Sequence, residues 1–187
     1  MNKQEIISLS VKIVNKEGLQ ALTMARLARD FKVKPPSVYK HIRNIHDVYD
    51  ELGIICLEAL IRLIQENVFG LSGDAAVFEL ARSFRKYGKK NPGLYQAMQL
   101  THVKRSARFQ KSAAALMGLL SRLIASYHVT GENQVHAIRL FRCILHGFID
   151  LEIQQGFGLE QNLEKSFTMA IHGFISALKN NYKKELV

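Results

Sequence analysis

Apolar residues recur along this chain at spacings of three and four and seldom at two, so the pattern is helical nearly throughout. The first stripe, Ile6, Leu9 and Ile13 flanked by Ile7, Val11 and Val14, predicts a helix over residues 3–16. Gly18 follows the last periodic residue, where a left-handed stop needs no Cβ. Further breaks fall at 34–36, 43–44, 70–73, 91–92, 130–131 and 156–158. Between them the pattern predicts a long helix over 45–67 and others near 74–90, 92–100, 106–127, 132–155 and 163–179. With two short helices before residue 45, the fold class is all-α with about nine helices. Three short helices in the first 47 residues cannot bury a core alone. The helix from 45 is the natural spine joining them to the rest. The division predicted is therefore a domain at 1–47 and a larger one at 48–187, with no flexible joint.

The segment from Leu22 to Ile42 carries the most specific pattern. Thr23 stands where an N-cap belongs, before Met24-Ala25-Arg26, and its hydroxyl can accept from a free N–H of the first turn. Leu22 and Leu27 suit a hydrophobic staple around that cap. A turn of a few residues, Lys32-Val33-Lys34, leads to Pro35 and Pro36, which are welcome in the first turn of a helix. The new helix is short, about 36–42, with Val38 and Ile42 facing inward and Ser37, Tyr39, Lys40 and His41 on the other side. Two short helices, a tight turn and a basic outer face describe a helix-turn-helix unit. An ordinary amphipathic pair with a solvated face has the same spacing.

The stretch LTMARLARDFKVKPPSVYKHI, preceded by a first helix and followed by IHDVYDEL, resembles the DNA-binding region of the TetR family of transcriptional regulators. The match runs from Asn2 to about Leu52 through Gly18, Thr23, Leu27-Ala28, Val33 and Ser37-Val38-Tyr39-Lys40-His41. The piece ILHGF followed by GFG resembles a C-terminal subtype with a Trp-His-Gly signature, with Leu145 in place of the tryptophan. The resemblance implies a three-helix helix-turn-helix domain followed by a helical ligand-binding and dimerisation domain. It implies that Thr23 caps its helix and brings a backbone N–H to a phosphate, and that Tyr39 and His41 contact phosphate. Lys34, Ser37 and Lys40, with Pro35 at the start of the helix, are the candidates for base or groove-wall contacts. Packing on the first helix is a second role for Tyr39. Two departures stand out. Lys32 occupies a turn position usually glycine, and Ile45 stands where a phosphate-contacting lysine is common, which either loses that contact or passes it to Asn44 and the helix N-terminus.

Charge adds to this picture without localising it. Lys and Arg number 26 and Asp and Glu 16, a net +10, which points to an anionic partner, either nucleic acid or lipid headgroups. Residues 1–50 hold nine cations and five anions, and residues 51–187 hold 17 and 11, so the excess is not confined to the DNA-reading part. Arg85, Lys86, Lys89, Lys90, Lys104, Arg105, Arg108 and Lys111 form a second basic region, expected to be a solvated face, with a supplementary phosphate or membrane-surface contact as the alternative. Cys56 and Cys143 lie far apart with no Cys-x-x-Cys pair, which excludes zinc-finger and disulfide scaffolds. The start lacks a secretory pattern and no run is apolar enough to span a membrane, so the expected setting is the cytoplasm.

The chain shows no Gly-rich phosphate loop, His-x-x-x-His or nucleophile elbow. The expectation is no enzyme, no cofactor and no metal. Cys143 and His146 share a helix, but two ligands do not make a site.

In the eighth helix Ile138, Phe141, Leu145 and Phe148 form one stripe and Leu140, Ile144, Gly147 and Leu151 another. In the ninth, Phe167, Ile171, Phe174 and Leu178 recur at helical spacing. A helix apolar on two sides needs two partners, and a second copy is one candidate. Phe148, Phe167, Ile171, Phe174 and Leu178 are therefore the interface candidates, against the alternative of one large core. The resemblance implies that these helices pair into a four-helix bundle. It also implies a ligand cavity, with lining candidates Leu60, Ile64, Phe84, Met98, His102, Met117, Leu120, Phe141 and His146. His146 and Asp150 are four apart and suit either a satisfied interface pair or a ligand contact.

The function expected is a homodimeric, sequence-specific regulator of a palindromic double-stranded DNA operator, a repressor released by a small, mostly apolar effector. A helical structural or membrane-surface protein is the alternative. It accounts for the charge but not for the cap, turn, proline and tyrosine pattern.

Overall fold

The computed structural model describes residues 1–100 and 103–180, and among these it contains helices and no strand. In chain order they are α1 (Lys3–Glu17), a 3-10 turn (Leu19–Ala21), α2 (Met24–Asp30), α3 (Pro35–Tyr39), α4 (Ile45–Val68), α5 (Gly73–Lys90), α6 (Pro92–Gln99), α7 (Ala107–Ala125), α8 (Gly131–Ile153) and α9 (Leu163–Asn180). The helices expected from periodicity are all present, with ends moved by one to three residues. The 3-10 turn was not expected. The chain forms two compact units, one of residues 1–59 and 90–114, the other of residues 60–89 and 115–187.

In the first unit, α1 is opened by a capping box. Asn2 Oδ1 accepts from the Glu5 N–H at 2.9 Å and Glu5 returns a carboxylate to the Asn2 N–H at 2.8 Å. Gly18 ends the helix at φ 85°, its N–H donating to the Val14 carbonyl. Helix α6 packs on α1 at Gly93, where a Cβ would sit 2.2 Å from the Val14 carbonyl oxygen. Only glycine permits that approach. Ile6, Val14, Leu22, Leu27, Val38, Ile42, Val48 and Leu52 are buried together with this contact.

In the second unit α8 and α9 pack on each other, with Phe141 and Phe174 stacked at 4.5 Å between ring centroids. Arg85 of α5 is buried between the two. Its Nε donates to Glu152 at 2.6 Å, its Nη1 to Glu164 at 2.7 Å, and its guanidinium lies 4.5 Å from the centre of the Phe167 ring. Tyr127 donates its hydroxyl to Asp74 at 2.9 Å, and Lys179 pairs with the same carboxylate. Burial and the hydrogen bond to Asp74 push the Tyr127 phenol above its ordinary range.

The second basic region is not one solvated face. Arg85 and Lys89 pair with Glu152, Arg108 with Glu51 and Glu58, and Arg105 donates to the carbonyls of Ala97, Met98 and Leu100. Lys86, Lys90, Lys104 and Lys111 are exposed. Half of the basic run thus pairs with acids, of which Glu152 is buried, or caps the carbonyl end of α6.

Candidate nucleic-acid interface

The outward face of α3 is built by local rules that leave it little choice. Thr23 has extended backbone, and its Oγ1 accepts from the Arg26 N–H at 3.0 Å, so α2 begins there. Arg26 then spans to Glu17 at 2.6 and 2.8 Å and to Asp30 at 2.7 Å, tying α2 to the end of α1. These bonds raise the Arg26 guanidinium above its ordinary value and hold both carboxylates below theirs. After Asp30 the chain reverses through Lys32 at φ 55°, a left-handed conformation that carries strain in a residue with a Cβ. The reversal lets the Val33 N–H bond the Ala28 carbonyl at 3.0 Å, which closes the end of α2.

Lys34 is extended (ψ 145°), as the residue before a proline must be, and Pro35 starts α3. The helix ends at Tyr39, earlier than the expected 42, because His41 and Ile42 both donate to the Val38 carbonyl in a closing turn. Val38 and Ile42 are 0% and 2% exposed and anchor the segment from below. Thr23, Lys34, Pro35, Lys40 and His41 are exposed and Ser37 half-buried. Tyr39 is 51% exposed, which leaves about half of the residue open to a contact from solvent. Asn44 is exposed too, and its Oδ1 accepts from the Asp47 N–H at 3.0 Å, making it the cap of α4. The structure therefore leaves Lys34, Pro35, Tyr39, Lys40, His41 and Asn44 exposed within one short segment, with Thr23 exposed at the start of α2.

The residues predicted for the larger domain distribute differently. Leu60, Ile64, Phe84, Leu120 and Phe141 are buried in the second unit, with Met117 partly exposed. Met98 belongs to the first unit, its Sδ 3.7 Å from Cys56 Sγ, and His102 lies outside the described residues. The His146 ring meets Phe84 edge-on at 5.7 Å. Burial, aided by Arg142 and opposed by Asp150, lowers its imidazole to about 4, so it is neutral at physiological pH.

Four interface candidates need correction. Phe167, Ile171, Phe174 and Leu178 are 0–2% exposed within a single chain, because α9 turns that stripe onto its own unit. Phe148 is half-buried against Phe157 and Phe167. On α8 and α9 the exposed large apolar groups are instead Val135 at 47%, Leu140 at 39% and Leu151 at 45%, the last two on the second stripe of α8, and Met169 at 66%.

Periodicity did not reveal the Arg85 cluster or the three-carbonyl plug of Arg105, since ion pairs distant in sequence leave no periodic trace. The Asn2 capping box was readable from Asn-x-x-Glu and was missed.

Among known families, the one described as "Tetracyclin repressor-like, C-terminal domain" matches residues 77–174, more than half of the chain. The chain belongs to the TetR family of transcriptional regulators. Among individual relatives, the uncharacterized HTH-type transcriptional regulator YobS of Bacillus subtilis (strain 168) is 29% identical over 184 residues, covering 98% of this chain and 95% of that one. A protein of unknown function from Rhodococcus sp. RHA1 has a similar structure, with a TM-score of 0.78 at 17% identity over 95% of each chain. BioQ, solved with its natural double-stranded DNA operator, superposes with a TM-score of 0.70 at 20% identity over 97% of this chain and 99% of that one. The TetR-family assignment agrees with the helix order and with the outward α3.

Proposed function

We propose that this TetR-family regulator acts in the cytoplasm as a homodimer that represses transcription from a palindromic operator. The observation that carries the reading is the exposed stretch from Lys34 to Asn44, held on buried Val38 and Ile42. In this reading residues 1–47 are the DNA-binding part and 48–187 the effector-binding and dimerisation part. Lys34, Ser37 and Lys40 meet base edges or groove walls, where lysine can reach guanine and serine several bases. Thr23, Tyr39, His41 and Asn44 meet phosphates and fix the register. BioQ supports the partner class, since it is solved with a DNA operator.

One short helix reads only a few base pairs, so two copies about a two-fold axis are needed for a palindrome. The interface proposed is the stripe Leu140, Ile144, Gly147 and Leu151 of α8 with Met169 and Gly173 of α9. Gly147 and Gly173 have nothing within 4 Å of an added Cβ, which leaves room for close helix approach. An effector, mostly apolar and lined by residues such as Leu60, Ile64, Phe84 and Phe141, would release the operator by binding the DNA-incompetent state more tightly.

Duplex binding measured against salt tests the reading. Affinity for one palindrome should fall steeply with salt and exceed that for a scrambled duplex by about 10³ or more. Equal affinity for every duplex contradicts it.

A further inference from the structure

We propose that DNA contact extends beyond α3 to a basic cleft at the start of α4, where Lys104, from the segment between α6 and α7, meets a backbone phosphate. This rests on the DNA-binding reading above and adds a residue from a distant part of the chain.

The cleft holds about 540 Å³ and is lined by Arg43, Asn44, Asp47, Asp50, Lys104 and Arg105, among others, all in the first unit. Three permanent cations face two carboxylates, and the inner groups are already committed. Arg43 Nε donates to Asp47 at 3.2 Å. Asp50 Oδ1 accepts from the Ser106 N–H at 3.2 Å, with Arg105 Nη1 3.9 Å away. The other Arg105 nitrogen is taken by the carbonyls of Ala97, Met98 and Leu100, and its guanidinium lies 4.0 Å from the centre of the Phe109 ring. Lys104 is exposed and has no carboxylate within 4.0 Å among the described residues. The surplus charge of the cleft is therefore the Lys104 ammonium.

The cleft also begins just after the proposed reading segment in the chain. Lys40 and His41 lead within three residues to Arg43 and Asn44, which form its wall. A duplex seated on α3 carries a phosphate about every 3.4 Å of its axis along each strand, so a lysine beside Arg43 and Asn44 has phosphates of the same strand to meet. An isolated solvated lysine makes no such shared wall. The hydrogen bonds of Arg105 to three carbonyls tie down the chain beside Lys104, so a phosphate contact has chiefly the lysine side chain left to order.

The test uses the full chain, a duplex recovered by selection and a scrambled duplex, with binding measured by fluorescence anisotropy over roughly 50–200 mM salt. For Lys104→Ala the slope of log K against log salt should become shallower by about 0.9 on both duplexes, with affinity at 0.1 M salt falling roughly five- to tenfold. Lys104→Arg should restore both, and Lys86→Ala, at an exposed lysine of the second unit, should leave the slope unchanged. Specific binding with a wild-type slope for Lys104→Ala overturns this proposal alone. An equal effect of Lys86→Ala also overturns it, because net charge then suffices. A wild-type chain that binds no duplex overturns this proposal and the DNA-binding reading together.

Discussion

Arg85 donates its Nε and Nη2 to the two oxygens of the Glu152 carboxylate at 2.6 and 2.8 Å, with both side chains under a tenth exposed. The pair joins α5 to α8 and is completed by Glu164 of α9 and by Lys89. Removing one member leaves the other charge buried. Arg85→Ala should therefore cost about 3–5 kcal/mol in denaturant unfolding, and a loss under 1 kcal/mol would show that water reaches the cluster.

The same carboxylate sets an acid limit. Burial alone would raise Glu152, but the hydrogen bonds from Arg85 and Lys89 outweigh it and hold the group below its ordinary 4.5. A depressed folded value adds stability above pH 4.5 that is lost as pH falls through the lower value. The melting temperature of the wild type should drop below pH 4.5 more steeply than that of Glu152→Gln.

Among the described glycines, Gly93 leaves the least room for a Cβ. A methyl group there would overlap the Val14 carbonyl, part of the α1 backbone, which cannot rotate away. Gly93→Ala should destabilise by about 1–3 kcal/mol or more, whereas Gly118→Ala, whose nearest neighbour is the far end of Arg122 at 3.7 Å, should be neutral or stabilising. Equal effects in thermal melts would remove the account of α1–α6 packing.

Lys32 is the strained residue of the turn. Lys32→Gly should relieve the left-handed conformation and raise stability by up to about 1 kcal/mol, without altering the exposed face of α3. A lower melting temperature would show that the lysine side chain outweighs the strain.

These residues also show what the sequence made legible. Helix order, the Thr23 cap and the proline start of α3 followed from local rules, because caps and prolines are set by neighbours, whereas Lys32 stood out only by comparison with a family that usually has glycine there. The inward and outward stripes of α8 were both visible, but not which one the chain buries itself. That depends on where α5 and α9 lie, and no local pattern encodes it. Arg85 looked like surface charge for the same reason: its acids are 67 and 79 residues away. The outward face of α3 was the most legible part of the candidate site. The lining of an effector cavity was the least, since buried leucines and phenylalanines look alike whether they line a cavity or fill a core.

The corrected stripe gives an assembly prediction. Leu151→Glu should yield folded monomers by sedimentation with unchanged helical circular dichroism, because Leu151 faces solvent in one chain. Phe174→Glu should unfold the second unit, since the ring is stacked on Phe141 in the core. An unchanged mass for Leu151→Glu would place the interface elsewhere.

The central claim is that a proline-started helix, offered once by each of two subunits, reads base pairs. Selection of bound duplexes from a random pool tests it most directly. The account predicts an inverted repeat with half-site centres about one helical turn, or a multiple of it, apart, and a changed preference inside the half-sites for Lys40→Ala. Recovery of no shared motif, or of the same motif unaltered by Lys40→Ala and Ser37→Ala together, would contradict it.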